Sequence, residues 1–171
     1  MKTRMIAVFV LTAALALTSC GSVPGEKAAR SLQFPAELSV ECAGAGFVMT
    51  ADGSGYTAEY YSPAELDGIT VARGEEGATV NADGFAIDCG PGFPAVEGLY
   101  RALKAINGGA AYRDTQGTRE YTIDETAITV YYEPESGIVT NIITEEALRR
   151  FEYRVLTARH NERTGNGEDK R

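Results

Sequence analysis

Residues 93–106 read FPAVEGLYRALKAI, and they are where the pattern of the chain changes. Phe93, Val96, Leu99, Tyr100, Leu103 and Ile106 recur at three- and four-residue steps, the stripe of an amphipathic helix. Pro94 suits the first helical turn and Asn107-Gly108-Gly109 suits the exit. Gly98 costs such a helix about 1 kcal/mol relative to alanine, which points to close packing against something else.

Around this helix the period is two. Leu38, Val40 and Cys42 alternate with Glu37, Ser39 and Glu41, the signature of a strand with one wet face. Residues 47–49 run into the glycine-rich turn 51–55, and 56–61 form the returning strand of a hairpin. Pro63 cannot donate to a sheet ladder, so residues 62–66 interrupt the pattern. Short apolar runs at 68–72, 78–80 and 85–87 continue an antiparallel meander. Beyond the helix, residues 119–123, 127–132, 137–143 and 151–156 read as further strands, with 145–150 as a charged bend holding a little helix. The expectation is an α+β domain, one antiparallel sheet with one main helix.

The ends of the chain read differently. Lys2 and Arg4 precede an apolar run over residues 5–17, too short for a comfortable membrane span and flanked like a secretory signal peptide. It closes on Leu17-Thr18-Ser19-Cys20, which resembles the lipobox of bacterial lipoproteins. That resemblance implies removal of residues 1–19 and attachment of a diacylglycerol to Cys20, whose thiolate is the nucleophile the acyl-glyceryl transfer requires. Two or more acyl chains, palmitate being typical, anchor stably where one anchors marginally. The ordinary alternative is a secreted protein with a stray cysteine. Residues 20–31 read as the lipidated cysteine and a flexible tether, 32–160 as one domain, and 161–171, with no apolar residue, as a disordered tail.

The whole chain carries a net charge of −8, and loss of Lys2 and Arg4 makes the mature protein two units more negative. Nucleic acid is a poor partner for such a surface. Cys42 and Cys89 form a candidate disulfide that would add about 4 kcal/mol on the chain-entropy model; the alternative is two buried free thiols. His160 is the only histidine and no CxxC spacing occurs, so neither a metal site nor a cofactor is expected. No nucleophile elbow, phosphate loop or HExxH is present, and no catalytic residue is assigned.

Residues 61–71 (YSPAELDGITV) followed by 79–85 (TVNADGF) resemble a passage of the LolA/LolB-like extracytoplasmic proteins, as do residues 34–40 and 136–142. The resemblance implies a curved antiparallel sheet, an incomplete barrel, with the 93–106 helix over its concave face. It also implies binding or shuttling of lipid or another hydrophobic ligand on the extracytoplasmic face of a bacterial membrane. Leu38, Val40, Phe93, Val96, Leu99, Leu103 and Ile106 then either face that ligand or fill a core. In the second case the protein is a non-enzymatic accessory lipoprotein acting through an envelope protein, with Tyr60, Tyr61, Tyr131 and Tyr132 as surface contacts.

Overall fold

Alternation and glycine turns build a single sheet of eleven strands in the computed structural model, which describes residues 23–90, 92–123 and 125–161. Helix α1 (Pro24–Ser31) precedes β1 (Ala36–Cys42), β2 (Ala45–Ala51), β3 (Tyr56–Ser62), β4 (Thr70–Gly74), β5 (Gly77–Ala82) and β6 (Phe85–Gly90). Helix α2 (Pro94–Asn107) then leads to β7 (Tyr112–Thr115), β8 (Thr118–Ile123), β9 (Thr126–Tyr132), β10 (Val139–Glu146) and β11 (Arg149–His160). The strand order is β6-β5-β4-β3-β2-β1-β11-β10-β9-β8-β7, and the paired neighbours are antiparallel.

The order makes two meanders that meet where β1 pairs with β11. Consecutive strands β6 and β7 end up on opposite edges, so the sheet is open and α2 is the connection between its edges. Laid flat, eleven strands would separate those edges by about 48 Å. The 14-residue helix spans about 21 Å of that.

One face of the sheet is apolar. β1 alternates buried and half-buried residues, and the row Leu38, Met49, Ala58, Val71, Val80, Ile87 runs in register from β1 to β6. Val96, Leu99, Tyr100, Ala102 and Leu103 of α2 are buried with sheet residues in one core. Gly98 has its explanation there too, because a Cβ would sit 2.8 Å from the Tyr153 hydroxyl and 3.3 Å from the Phe151 ring.

Three expectations need correction. Residues 24–31, expected as part of a flexible tether, form α1, with Pro24 at its first turn, Glu26 and Arg30 at the ends the helix dipole favours, and Gly25, Ala28 and Leu32 buried. The domain therefore starts near residue 24, not 32. Residues 145–150, expected as a bend with a little helix, are the ends of a tight hairpin in which Glu145 pairs with Arg150 and Glu146 with Arg149. Opposite charges facing across two strands stabilise the ladder as readily as a helical turn. Residues 112–115, not expected as a strand, form β7. The expected signal peptide, Cys20 and all of the expected tail except Asn161 lie outside the described residues; the Asn161 amide donates to the Pro35 carbonyl at 2.7 Å.

Candidate functional site

The residues named from the helical stripe and first strand do converge. Leu38, Val40, Val96, Leu99 and Leu103 are completely buried between α2 and the sheet, and Ile106 packs against the same cluster. Phe93 stands at the entrance, exposed but with its ring 6.2 Å from that of Tyr60. Polar side chains fix the helix over this layer. The Tyr153 hydroxyl donates to the Ala95 carbonyl at 2.8 Å, Tyr100 to the Asp52 carbonyl at 3.3 Å, and Tyr56 to Glu97 at 3.3 Å. Glu97 also pairs with Arg73 at 2.7 Å. At the far end the Asn107 amide nitrogen donates to the Leu32 carbonyl at 2.9 Å, while its oxygen accepts from the Phe34 amide at 2.8 Å.

These residues fill the interior. Leu38, Val40, Val96, Leu99 and Leu103 have no surface accessible to water. Clefts of a few hundred Å³ lie instead on the surface: one of about 460 Å³ bordered by Pro35, Asp52, Tyr56 and Arg73, and one of about 480 Å³ at the β1–β2 turn beside Glu41, Gly46 and Glu152.

Burial sets the electrostatics of the layer. It pushes the hydroxyls of Tyr153 and Tyr60 above the usual tyrosine range, and those of Tyr56 and Tyr100 likewise, the former reinforced by Glu97 and the latter by Asp52. These hydroxyls stay neutral, and those of Tyr153, Tyr100 and Tyr56 act as donors. Burial also raises the Cys42 thiol, the opposite of what a nucleophile requires.

Cys42 and Cys89 are both free, and the candidate disulfide is not formed. Cys42 ends β1 and Cys89 lies in β6, five strand positions away, or about 24 Å along the sheet. A bridge requires Cα atoms within about 7 Å. The Cys89 thiol donates instead to the Ala78 carbonyl at 3.3 Å. The tyrosine pairs also divide, because strand alternation sends neighbours to opposite faces: Tyr60 and Tyr132 are buried, while Tyr61 and Tyr131 are exposed.

An apolar strip that the sequence did not single out lies beyond the helix. Val80 pairs in register with Ile87, which puts Ile87 on the inner face together with Phe85 two residues before it. Val80 is half-buried, yet Phe85 is 75% and Ile87 63% exposed. The apolar face thus runs out into solvent on β5 and β6. In sequence Phe85 and Ile87 look like any half-buried strand, so only the position of β6 at an edge reveals them.

The opposite wing carries a buried arginine. Arg119, buried, donates to both oxygens of Asp114 at 2.6 Å and lies 4.0 Å over the Tyr112 ring. Those hydrogen bonds hold its guanidinium still more firmly protonated than usual. Among the described residues, no cluster of three or more His, Cys, Asp or Glu could hold a metal ion, and no helix is long and apolar enough to cross a membrane.

No family model and no curated protein matches the chain. Among solved structures it is similar to a LolA superfamily protein from Nitrosomonas europaea, at 11% identity and a TM-score of 0.40, over 80% of this chain and 91% of that one.

Proposed function

We propose that the protein is a lipoprotein held by a diacylglyceryl group on Cys20 at the extracytoplasmic face of a bacterial membrane, where it binds or shuttles a lipid or other hydrophobic ligand without catalysing a reaction. The anchor rests on the lipobox resemblance, and the fold reading on the passages at 61–71 and 79–85 that resemble LolA/LolB-like proteins. In that reading the open sheet is an incomplete barrel and α2 lies over its concave face. The observation that carries the ligand is the bare apolar strip of Phe85 and Ile87 with Val80, since contiguous exposed apolar surface marks an interaction or ligand site. Because the interior is filled, an acyl chain would lie along this strip and reach further only by displacing α2.

Native mass spectrometry and organic extraction of the purified domain are expected to recover lipid, and a fluorescent fatty-acyl probe is expected to bind. The double substitution Phe85→Asp with Ile87→Lys is expected to weaken the probe at least about tenfold, the scale set by losing two apolar contacts. Recovery of no lipid together with no probe binding would sink the reading. Cys20→Ala is expected to move the protein from the membrane to the soluble fraction or to block maturation; unchanged membrane partition would refute the anchor.

The filled interior favours a second reading, an accessory lipoprotein that acts through an envelope protein. Its contact surface would include the exposed Tyr61 and Tyr131, not the buried Tyr60 and Tyr132. Crosslinking in cells from Tyr61 and Tyr131 that captured no specific protein would count against it.

A further inference from the structure

The lipidated residue lies only three residues before Val23, where the described chain begins, and α1 starts one residue later. Three Cα–Cα steps reach at most about 11 Å. An anchor that short restricts how a rigid body can turn, provided that the first turn of α1 is itself fixed to the body.

It is fixed at several points. The Val23 carbonyl accepts from the amides of Glu26 and Lys27 at 2.8 and 3.2 Å. Gly25 lies so close to the opposite wing that a Cβ there would be 3.1 Å from both the Arg119 guanidinium and the Tyr132 hydroxyl. Gly137, in the β9–β10 connection, approaches so tightly that its Cβ would come within 2.5 Å of the Pro24 carbonyl and 2.9 Å of the Lys27 Cβ. The φ of +72° at Gly137 also favours glycine. The start of α1 and the β9–β10 connection therefore move as one piece.

Two apolar side chains project at that place. Val23 is exposed, and Ile138, the residue after Gly137, is 63% exposed. They flank the contact between Pro24 and Gly137, at the end of the molecule from which the chain runs to Cys20. We infer that this end, carrying Val23 and Ile138, rests on the bilayer that holds the Cys20 lipid, so that the protein stands in one orientation with the β10–β11 turn pointing away. The inference rests on the anchor reading above. Glu26, Glu133 and Glu135 share this end with Lys27, so its charge is net negative and the contact suits a zwitterionic lipid surface, whereas anionic lipid would repel it.

The chain contains no tryptophan, so a single introduced indole reports its own position. Ile138→Trp places it at the proposed contact. Leu148→Trp places it on a residue 97% exposed in the β10–β11 turn, at the other end of the eight-residue β10 and about 26 Å away. Each full-length lipidated protein is reconstituted in phosphatidylcholine vesicles with brominated acyl chains, and flotation is scored first. The expected result is at least about twofold stronger quenching at position 138 than at 148, since only groups reaching the 30 Å hydrocarbon layer meet the bromine. Val23→Trp is expected to follow position 138. Eight Gly/Ser residues inserted after Ser22 are expected to equalise positions 138 and 148 while flotation persists.

Equal or reversed quenching in protein that floats overturns the orientation and leaves the anchor standing. A quenching difference that survives the insertion overturns the short link as its cause. Failure of the unmodified protein to float removes the anchor reading and this inference with it.

Discussion

The two wings of the sheet begin alike and end differently. Each runs outward from the β1–β11 pair as an antiparallel meander. On the β7–β9 wing Tyr121, Ile128, Val130 and Tyr132 are buried, and the buried Arg119 ties β8 to Asp114 and Tyr112 of the edge strand. On the β4–β6 wing burial fades after Val71 and Ala78, and the edge strand leaves Phe85 and Ile87 in water. The difference is α1, which packs on β9 and β11 and has no counterpart over β5 and β6 among the described residues. Alternation in a strand creates an apolar face; a separate element decides whether that face is covered.

Loosening α1 is the strongest way to break this contrast. Leu32, fully buried just after α1, joins it to the core. Leu32→Ala is expected to cost about 2–5 kcal/mol, the range for removing a buried leucine without collapse of the site. Hydrogen exchange is expected to speed up in β8 and β9 more than in β3 and β4, making the covered wing behave like the bare one. Ile87→Ala, already in water, is expected to stay within about 0.5 kcal/mol. Urea midpoints for the two variants that moved equally would mean that α1 does not make the difference.

Arg119 tests the same contrast at the edge. Arg119→Met keeps an apolar side chain of similar reach but removes both hydrogen bonds to Asp114 and the charge over the Tyr112 ring. Asp114 is partly exposed and can be rehydrated, so the expected loss is about 2 kcal/mol, within the range for hydrogen bonds to charged groups. β7 is expected to lose amide protection with little change in β6. An unchanged urea midpoint would show that β7 is held by its ladder alone.

What could be read from sequence follows the same division. Helix α2 was legible because six apolar residues mark its stripe, and Gly98 correctly announced a close contact, with Tyr153. Helix α1 was not, because its buried side is Gly25, Ala28 and Leu32, two of them nearly without side chain, in a polar segment that looks like linker. Strand β7 has four exposed residues and therefore no alternation to detect. Glu145, Glu146, Arg149 and Arg150 satisfy helix spacing and cross-strand pairing equally well, so charge pattern could not choose the hairpin. The stripe residues of the candidate site were found, but the same residues line a cavity or fill one, and composition carries no volume. Cys42 and Cys89 each sit in a strand as expected; their separation depends on sheet order, which local pattern does not contain.

The centre common to both wings gives the smallest effect and the one that depends on pH. Tyr153 is fully buried on β11, and its hydroxyl reaches the Ala95 carbonyl of the segment over the sheet. Tyr153→Phe keeps the ring and removes one neutral hydrogen bond, an expected loss of about 1 kcal/mol near neutral pH. Desolvation raises the folded-state pKa above the ordinary value of about 10. Below about pH 10 the tyrosine is protonated in both states, so its contribution is fully present there. Above that, the unfolded chain loses the proton while the folded chain keeps it, and stability falls as pH rises toward the folded pKa. Tyr56, Tyr60, Tyr100 and Tyr121 shift in the same direction, whereas β4, β5 and β6 contain no tyrosine. Urea midpoints followed from about pH 8 to 11 are therefore expected to fall with a slope that Tyr153→Phe flattens and Ile87→Ala leaves unchanged. An identical slope in the Tyr153 variant would mean that its hydroxyl reaches water in the folded protein, and that α2 does not seal the centre from which the two wings diverge.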